Sequence, residues 1–319
     1  MRISHSLAFV SFRPTVVALG FFDGVHLGHR AVIEEARHRA AELSCDCAVF
    51  TFSQLPKEIL SPGSVRMITD GEDRAEAIRS LGVDLLVSVP FDGSLKELSP
   101  TDFFRLILQE KLRARHLVCG YNYSFGAGGV GDAPLLRRLC HEAGIGLTVL
   151  SDVTVEGVSV SSSAIRQAVG EGKMAEVARL LGRPFSLRLP VIDGQKLARR
   201  LGFPTMNQRL SPQIVIPRHG VYVTRVRLPQ QPLPFFGITN VGIRPTVGGK
   251  DVFAETHLFD FEGNLYGQQA RIEFLRFLRP EQRFESIERL SEQVQEDIIS
   301  AKAFLLTLPQ EDPSGGDTR

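Results

Sequence analysis

At 319 residues, 43% of them hydrophobic, the chain is long enough for two domains with a core in each. Lys and Arg total 37 against 36 Asp and Glu, so no basic stripe points to nucleic acid, and no apolar run approaches the roughly 18 residues that span a bilayer. The start, Met1-Arg2-Ile3-Ser4-His5, lacks a secretory pattern, and Cys45, Cys47, Cys119 and Cys140 form neither a disulfide framework nor a zinc set; we expect reduced core thiols in a cytoplasmic protein.

The first β-like run, 15–19, breaks at Gly20 and passes through Phe21-Phe22-Asp23-Gly24-Val25 to His26 and His29, where a helical pattern over 30–43 begins. A helix N-terminus exposes unpaired N–H groups and the positive end of a dipole. Two imidazoles there, with Gly28 allowing close backbone approach, form a candidate nucleotide-phosphate site that supplies charge and donors. Further strands are expected at 47–52, 84–89, 116–120 and 146–150, and helices at 72–81, 101–112 and 133–143. This alternation argues for a parallel sheet with helices on both faces and ligands beyond the carboxyl ends of the strands. The unusual sequence falls there: 20–29, the turn at 52–56, Phe91-Asp92 and the glycine-rich Gly120-Tyr121-Asn122-Tyr123-Ser124-Phe125-Gly126 each follow a strand.

Next, Ser161-Ser162-Ser163-Ala164-Ile165-Arg166 opens a helical segment over 164–169. Any one of these serines reads equally as an N-cap. Beside the histidines, Arg166 can neutralise a triphosphate as pyrophosphate leaves. No G-x-x-x-x-G-K-[ST] exists, which excludes a P-loop, and Gly126-Ala127-Gly128-Gly129 does not fit a dinucleotide fingerprint.

Around Gly182-Arg183-Pro184 the pattern changes. β signals follow at 220–228, 235–242, 252–261 and 270–277, the last two joined by a turn at Glu262-Gly263-Asn264. An amphipathic helix with Ile287, Leu290, Val294, Ile298, Ala301 and Phe304 on one face closes the pattern. We expect a small antiparallel barrel with one packed helix, then a disordered polar tail over 309–319.

These segments resemble the bifunctional bacterial riboflavin kinase/FAD synthetase family over nearly the whole chain. The family motifs G-x-F-D-G-V-H-x-G-H, G-Y-[DN]-[FY]-x-F-G and S-S-[ST]-x-I-R fall at 20–29, 120–126 and 161–166. L-G-F-P-T-A-N matches Leu201-Gly202-Phe203-Pro204-Thr205-Met206-Asn207, while N-[IV]-G-x-R-P-T matches 240–246 and E-x-H-x-x-D matches 255–260. The resemblance implies a Rossmann-like α/β nucleotidyltransferase domain at 1–182 and a β-barrel kinase domain at 183–308. It implies phosphorylation of riboflavin to FMN and adenylylation of FMN to FAD, each with ATP and Mg²⁺, on small-molecule substrates.

For the transferase it implies His26, His29 and Arg166 as catalytic, with Gly20, Phe22, Asp23, Gly24, Gly28, Asn122, Ser162 and Ser163 binding ATP or FMN. For the kinase it implies Glu255 as the base that takes the ribityl hydroxyl proton. Thr205 and Asn207, two oxygen donors at i, i+2, suit a magnesium–nucleotide complex. Gly194, Arg199, Gly202, Pro204 and Asn240 complete the kinase set. Arg244, beside Pro245, reads equally as structural.

The chain departs from the family in the loop before the L-G-F-P-T element. Asp193 stands for a basic residue, which would repel phosphate. Ala198 and Leu189 stand where glycines are common. Ser124 and Ala127 replace frequent basic residues, and Phe21 a frequent asparagine. Two other readings follow: an FAD synthetase whose kinase half is weakened into a flavin-binding module, and a non-catalytic flavin or nucleotide sensor.

Overall fold

The computed structural model describes residues 1–55, 63, 65–193, 203–246 and 249–309. The expected tail therefore lies outside the described residues from position 310 onward, as do Gly194, Ala198, Arg199 and Gly202. The chain divides into two compact units. One comprises Met1–Gln167, Glu176–Arg183 and Pro212–Val215; the other comprises Ala168–Ala175, Pro184–Ser211 and Ile216–Arg319.

The first unit is built on six parallel strands, β1 (Arg2–Ser4), β2 (Thr15–Leu19), β3 (Asp46–Phe52), β4 (Leu85–Val89), β5 (Ala114–Gly120) and β6 (Gly146–Leu150), in the order β1-β4-β3-β2-β5-β6. Strands buried on both faces read as continuous apolar runs, as β2 does. Its alternate side chains serve two cores: Val16 and Ala18 pack with Val32, Ile33 and Ala36 of α1 (Leu27–Glu42). Val17 and Leu19 face Leu108 of α3 (Phe103–Lys111) and Leu136 of α4 (Ala133–Ala143). Each valine, leucine or isoleucine so buried contributes roughly 1.5–3 kcal/mol. Helix α2 (Gly71–Arg79), the short antiparallel pair β7 (Thr154–Val155) and β8 (Val158–Ser159), and helices α5 (Ser162–Glu171) and α6 (Met174–Leu181) take their places in chain order.

The strand order reverses at β2, which pairs with β3 on one side and β5 on the other. In such sheets the ligand crevice opens at this point, beyond the carboxyl ends. The segments that begin at Gly20 and at Gly120 leave the sheet there.

Three details differ from the expectation. α1 begins at Leu27 rather than residue 30, because the His26 ring supplies its cap. The helix expected over 101–112 is π-wound between Phe103 and Lys111, with the Leu112 N–H donating to the Ile107 carbonyl at 2.9 Å. β1 is too short to show a period in sequence.

The second unit is an antiparallel sheet of β9 (Phe185–Pro190), β10 (Thr205–Arg209), β11 (Gly220–Arg227), β12 (Phe235–Thr246), β13 (Gly249–Leu258) and β14 (Gln269–Pro280). The order is β10-β13-β12-β11-β14-β9. Its edges meet where the Ile192 N–H donates to the Asn207 carbonyl at 2.8 Å, and the buried Gln208 amide donates to the carbonyls of Leu189 and Ala270, so the sheet closes as a barrel. Helix α7 (Ile287–Leu305) lays Val294, Ile298, Ala301 and Phe304 against Val221, Val223 and Ile238. β13 ends at Leu258 and β14 begins at Gln269, so Glu262-Gly263-Asn264 lies within a longer connection than a simple turn.

Candidate active sites

Between β2 and α1 the chain makes a strained turn. Phe22 and Val25 hold positive φ, 59° and 41°, which side chains adopt at a cost and a β-branched residue rarely adopts. Gly24, at φ 78°, has no such penalty, and a Cβ there would meet the Ile68 side chain at 3.1 Å. The turn delivers His26 to the Ncap of α1, where its Nδ1 accepts the His29 backbone N–H at 3.2 Å. That bond leaves Nε2 as the protonated nitrogen of a neutral ring. The two imidazoles stack with centroids 3.5 Å apart, and Phe22 meets His29 edge-on at 5.3 Å.

Burial, reinforced by the Arg166 and Arg183 charges, pushes His26 down to about 4. Burial, with His26, Arg74 and Arg166 nearby, pushes His29 well below the usual imidazole range. Of the charge and donor groups expected from His26, His29 and Arg166, desolvation therefore favours neutral rings at the two histidines. The enclosed Nδ1 of His29 has no hydrogen-bond partner.

Positive charge comes instead from Arg166. Its Nη2 meets the buried Asp23 carboxylate at 2.6 Å, and its Nε donates to the Arg66 carbonyl at 2.6 Å. Asp23 also accepts the backbone N–H groups of Ile68 at 2.9 Å and Thr69 at 3.2 Å. Every partner donates, so the group is a carboxylate, although burial pushes its pKa upward against the pull of Arg166. Asp23 therefore orients Arg166 rather than facing a ligand. Ser161, not Ser162 or Ser163, caps α5, accepting the Ala164 N–H at 3.2 Å. Ser162 Oγ donates to the Asp23 carbonyl at 3.2 Å, and Ser163 is exposed.

The other expected residues of this unit separate into two groups. Gly20 and Gly28 sit where a side chain would crowd the Phe22 and His26 rings, at 3.0 and 3.3 Å. Asn122 is exposed in the segment after β5. Phe22 and Gly24 are buried within the turn, where Phe22 packs edge-on against His29 and Gly24, without a side chain, has only its backbone to offer. Phe21 carries the Arg74 guanidinium over its ring at 4.9 Å.

In the barrel, antiparallel register sets Asn207 of β10 and Asn240 of β12 on either side of Glu255 of β13. Two cavities adjoin this strand set. One of about 530 Å³ is lined by Pro204, Thr205, Asn207, Thr256 and the 261–266 connection. The other, of about 370 Å³, has Asn207, Asn240, Arg244 and Glu255 on its strand side and Phe284, Leu290 and Val294 towards α7. Thr205 and Asn207 line both.

Arg244, which the sequence left open, is central: it forms an ion pair with Glu255 and donates to Asn207 Oδ1 at 2.9 Å. The signal for it was its place in the N-[IV]-G-x-R-P-T match. Pro204 accepts from His257 Nδ1 through its carbonyl at 3.1 Å. Asp193 is exposed.

Thr205 and Asn207 fit a hard cation in one respect: both offer oxygen, and Asn207 Oδ1 keeps a second lone pair after Arg244 takes the first. Among the described residues no cluster of three or more His, Cys, Asp or Glu could hold a metal ion. Any magnesium here would need substrate phosphates and water as further ligands.

Comparison with known families now adds to this geometry. The FAD synthetase family model matches residues 10–164 and the riboflavin kinase model residues 181–305. Curated relatives similar to this chain carry the name bifunctional riboflavin kinase/FMN adenylyltransferase. That of Listeria monocytogenes is 36% identical, covering 92% of this chain and 93% of its own. That of Pseudomonas fluorescens is 37% identical over the same shares, and that of Escherichia coli K12 is 34% identical over 97% and 99%.

A crystal structure from Streptococcus pneumoniae, titled a macrolide-efflux protein, superposes with a TM-score of 0.86 at 27% identity, over 94% of this chain and 98% of that one. Among the described residues no helix is long and apolar enough to cross a membrane.

Proposed function

Because the chain belongs to the bifunctional riboflavin kinase/FMN adenylyltransferase family, we infer that it makes FMN from riboflavin and then FAD from FMN, using ATP twice. The observation that carries this reading is that both family segments run through one chain, with the kinase signature residues beside two ligand-sized openings in the barrel. Residues 1–182 are proposed to carry adenylyl transfer and 183–308 phosphorylation. Its free cysteines, Cys47, Cys119 and Cys140 buried, support a cytoplasmic setting.

For adenylyl transfer, an FMN phosphate oxygen bonds to the α-phosphorus of ATP as the bond to the β-phosphate oxygen breaks and pyrophosphate leaves. This chemistry needs in-line positioning and charge stabilisation more than covalent help. The α1 N-terminus and the neutral His26 Nε2–H donate to phosphate oxygens. His29 completes the pair, and Arg166 stabilises the leaving pyrophosphate.

For phosphorylation, riboflavin occupies the smaller cavity, with its ring among Phe284, Leu290 and Val294 and its ribityl chain towards Glu255. The nucleotide takes the larger cavity. Glu255 accepts the ribityl hydroxyl proton as that oxygen attacks the γ-phosphorus and ADP leaves. Thr205 and Asn207, shared by both cavities, would hold Mg²⁺ with the phosphates; bound, the ion neutralises charge on the transferring group. Purified protein given riboflavin, ATP and Mg²⁺ should yield FMN and then FAD with pyrophosphate. FMN alone would favour a kinase only, and no product a sensor.

A further inference from the structure

We propose that Arg183, with Gly182 before it, is a positioning residue of the adenylyl-transfer site, although it lies past the 10–164 segment that matches FAD synthetases and at the start of the 181–305 segment that matches riboflavin kinases. The inference rests on the transferase reading of the first unit, to which residues 176–183 belong.

The strained turn that presents His26 persists only if its surroundings fix it from more than one direction. On one side, the Asp23 carboxylate takes the N–H groups of Ile68 and Thr69, and the Gly24 N–H donates to Thr69 Oγ1 at 3.2 Å. On the other, the guanidinium of Arg183 reaches two consecutive carbonyls. Nη2 donates to Gly24 O at 2.7 Å and Nη1 to Val25 O at 3.2 Å. Val25 is the residue at φ 41°, and His26 is next in the chain.

Gly182 holds the other flank. At φ 72° it is already in a conformation that favours glycine, and a Cβ there would lie 2.7 Å from Leu27 Cδ2. The dipeptide thus fixes the carbonyls before His26 and packs against the first helical residue after it. A planar fork can hold two neighbouring carbonyls at once, which a lysine ammonium on a flexible stem does less well. Arg183 acts through the turn; its effect is to hold the His26 ring where Nδ1 caps α1.

The test uses the full-length chain, with FMN-to-FAD and riboflavin-to-FMN conversion measured side by side. Arg183→Ala should lower kcat for FAD formation by roughly 10²-fold, the scale of an ångström misplacement of catalytic groups, with KM for ATP changing far less. Riboflavin phosphorylation should stay at the wild-type rate. Arg183→Lys should recover part of the loss, and millimolar guanidinium should partly rescue Arg183→Ala.

Gly182→Ala should mimic the defect without removing the charge. FAD formation by Arg183→Ala within about twofold of wild type, well short of the misplacement scale, would overturn the proposal. So would a loss that neither lysine nor guanidinium restores, since that marks a general failure of the unit. A wild-type chain that makes no FAD from FMN overturns the transferase reading and this inference with it.

Discussion

Burial removes the solvation a charged imidazole needs and so favours the neutral form of His26 and His29, the form in which we propose that they donate to phosphate. The consequence for stability has a definite sign. His26 titrates near 6.5 in the unfolded chain and near 4 in the folded one, so the unfolded chain binds the extra proton first. The stability from burying it neutral is complete above about pH 6.5 and drains away as pH falls towards 4, by about 3 kcal/mol for this ring.

His29 adds in the same direction, while Asp23, held upward, works against both. The first unit should therefore melt at a lower temperature at pH 5 than at pH 7, and His26→Gln should flatten that slope; calorimetry at the two pH values checks it. Glu255 gives a second residue-scale test. Glu255→Gln keeps the shape and the contact with Arg244 but removes the proton acceptor, so riboflavin phosphorylation should fall by about 10²–10⁴-fold while flavin binding holds. An unchanged rate would return Glu255 to a structural partner of Arg244.

Among the elements, α7 does more than cover the barrel. Arg279 of β14 grips Asp297 of α7 through Nη2 at 2.7 Å and Nε at 2.9 Å, with the aspartate almost wholly buried. Breaking one partner of such a pair leaves an uncompensated charge and costs about 3–5 kcal/mol. Asp297→Asn should lower the second unit's unfolding midpoint. Because Leu290 and Val294 of the same helix wall the smaller cavity, KM for riboflavin should rise more than KM for ATP; equal rises would separate α7 from the flavin.

The elements also show what a sequence can carry. In the first sheet, β2, β3 and β4 were legible because both faces are buried and the runs are apolar, whereas β1, three residues long, was not. β10 was not, because Thr205, Asn207 and Arg209 alternate with Met206 and Gln208, and a buried glutamine hides the period. The Asp23–Arg166 and Arg244–Asn207 contacts span 143 and 37 positions, and no local pattern encodes a partner at that distance.

At the scale of the whole molecule, motif spacing pointed to both candidate sites, but not to the state of the groups in them. Protonation, the burial of Phe22 and the engagement of Asp23 depend on what packs around them. The chain's central claim is two chemistries in two separate units. The most direct test is the product profile from riboflavin, ATP and Mg²⁺ for the wild type, His29→Ala and Glu255→Gln, with each variant also given FMN. The wild type should end at FAD. His29→Ala should accumulate FMN, since losing one phosphate-stabilising group costs roughly 10²–10³-fold. Glu255→Gln should leave riboflavin unconverted yet still turn supplied FMN into FAD. If either substitution suppresses both conversions equally while the protein remains folded, the two activities do not reside in separate sites.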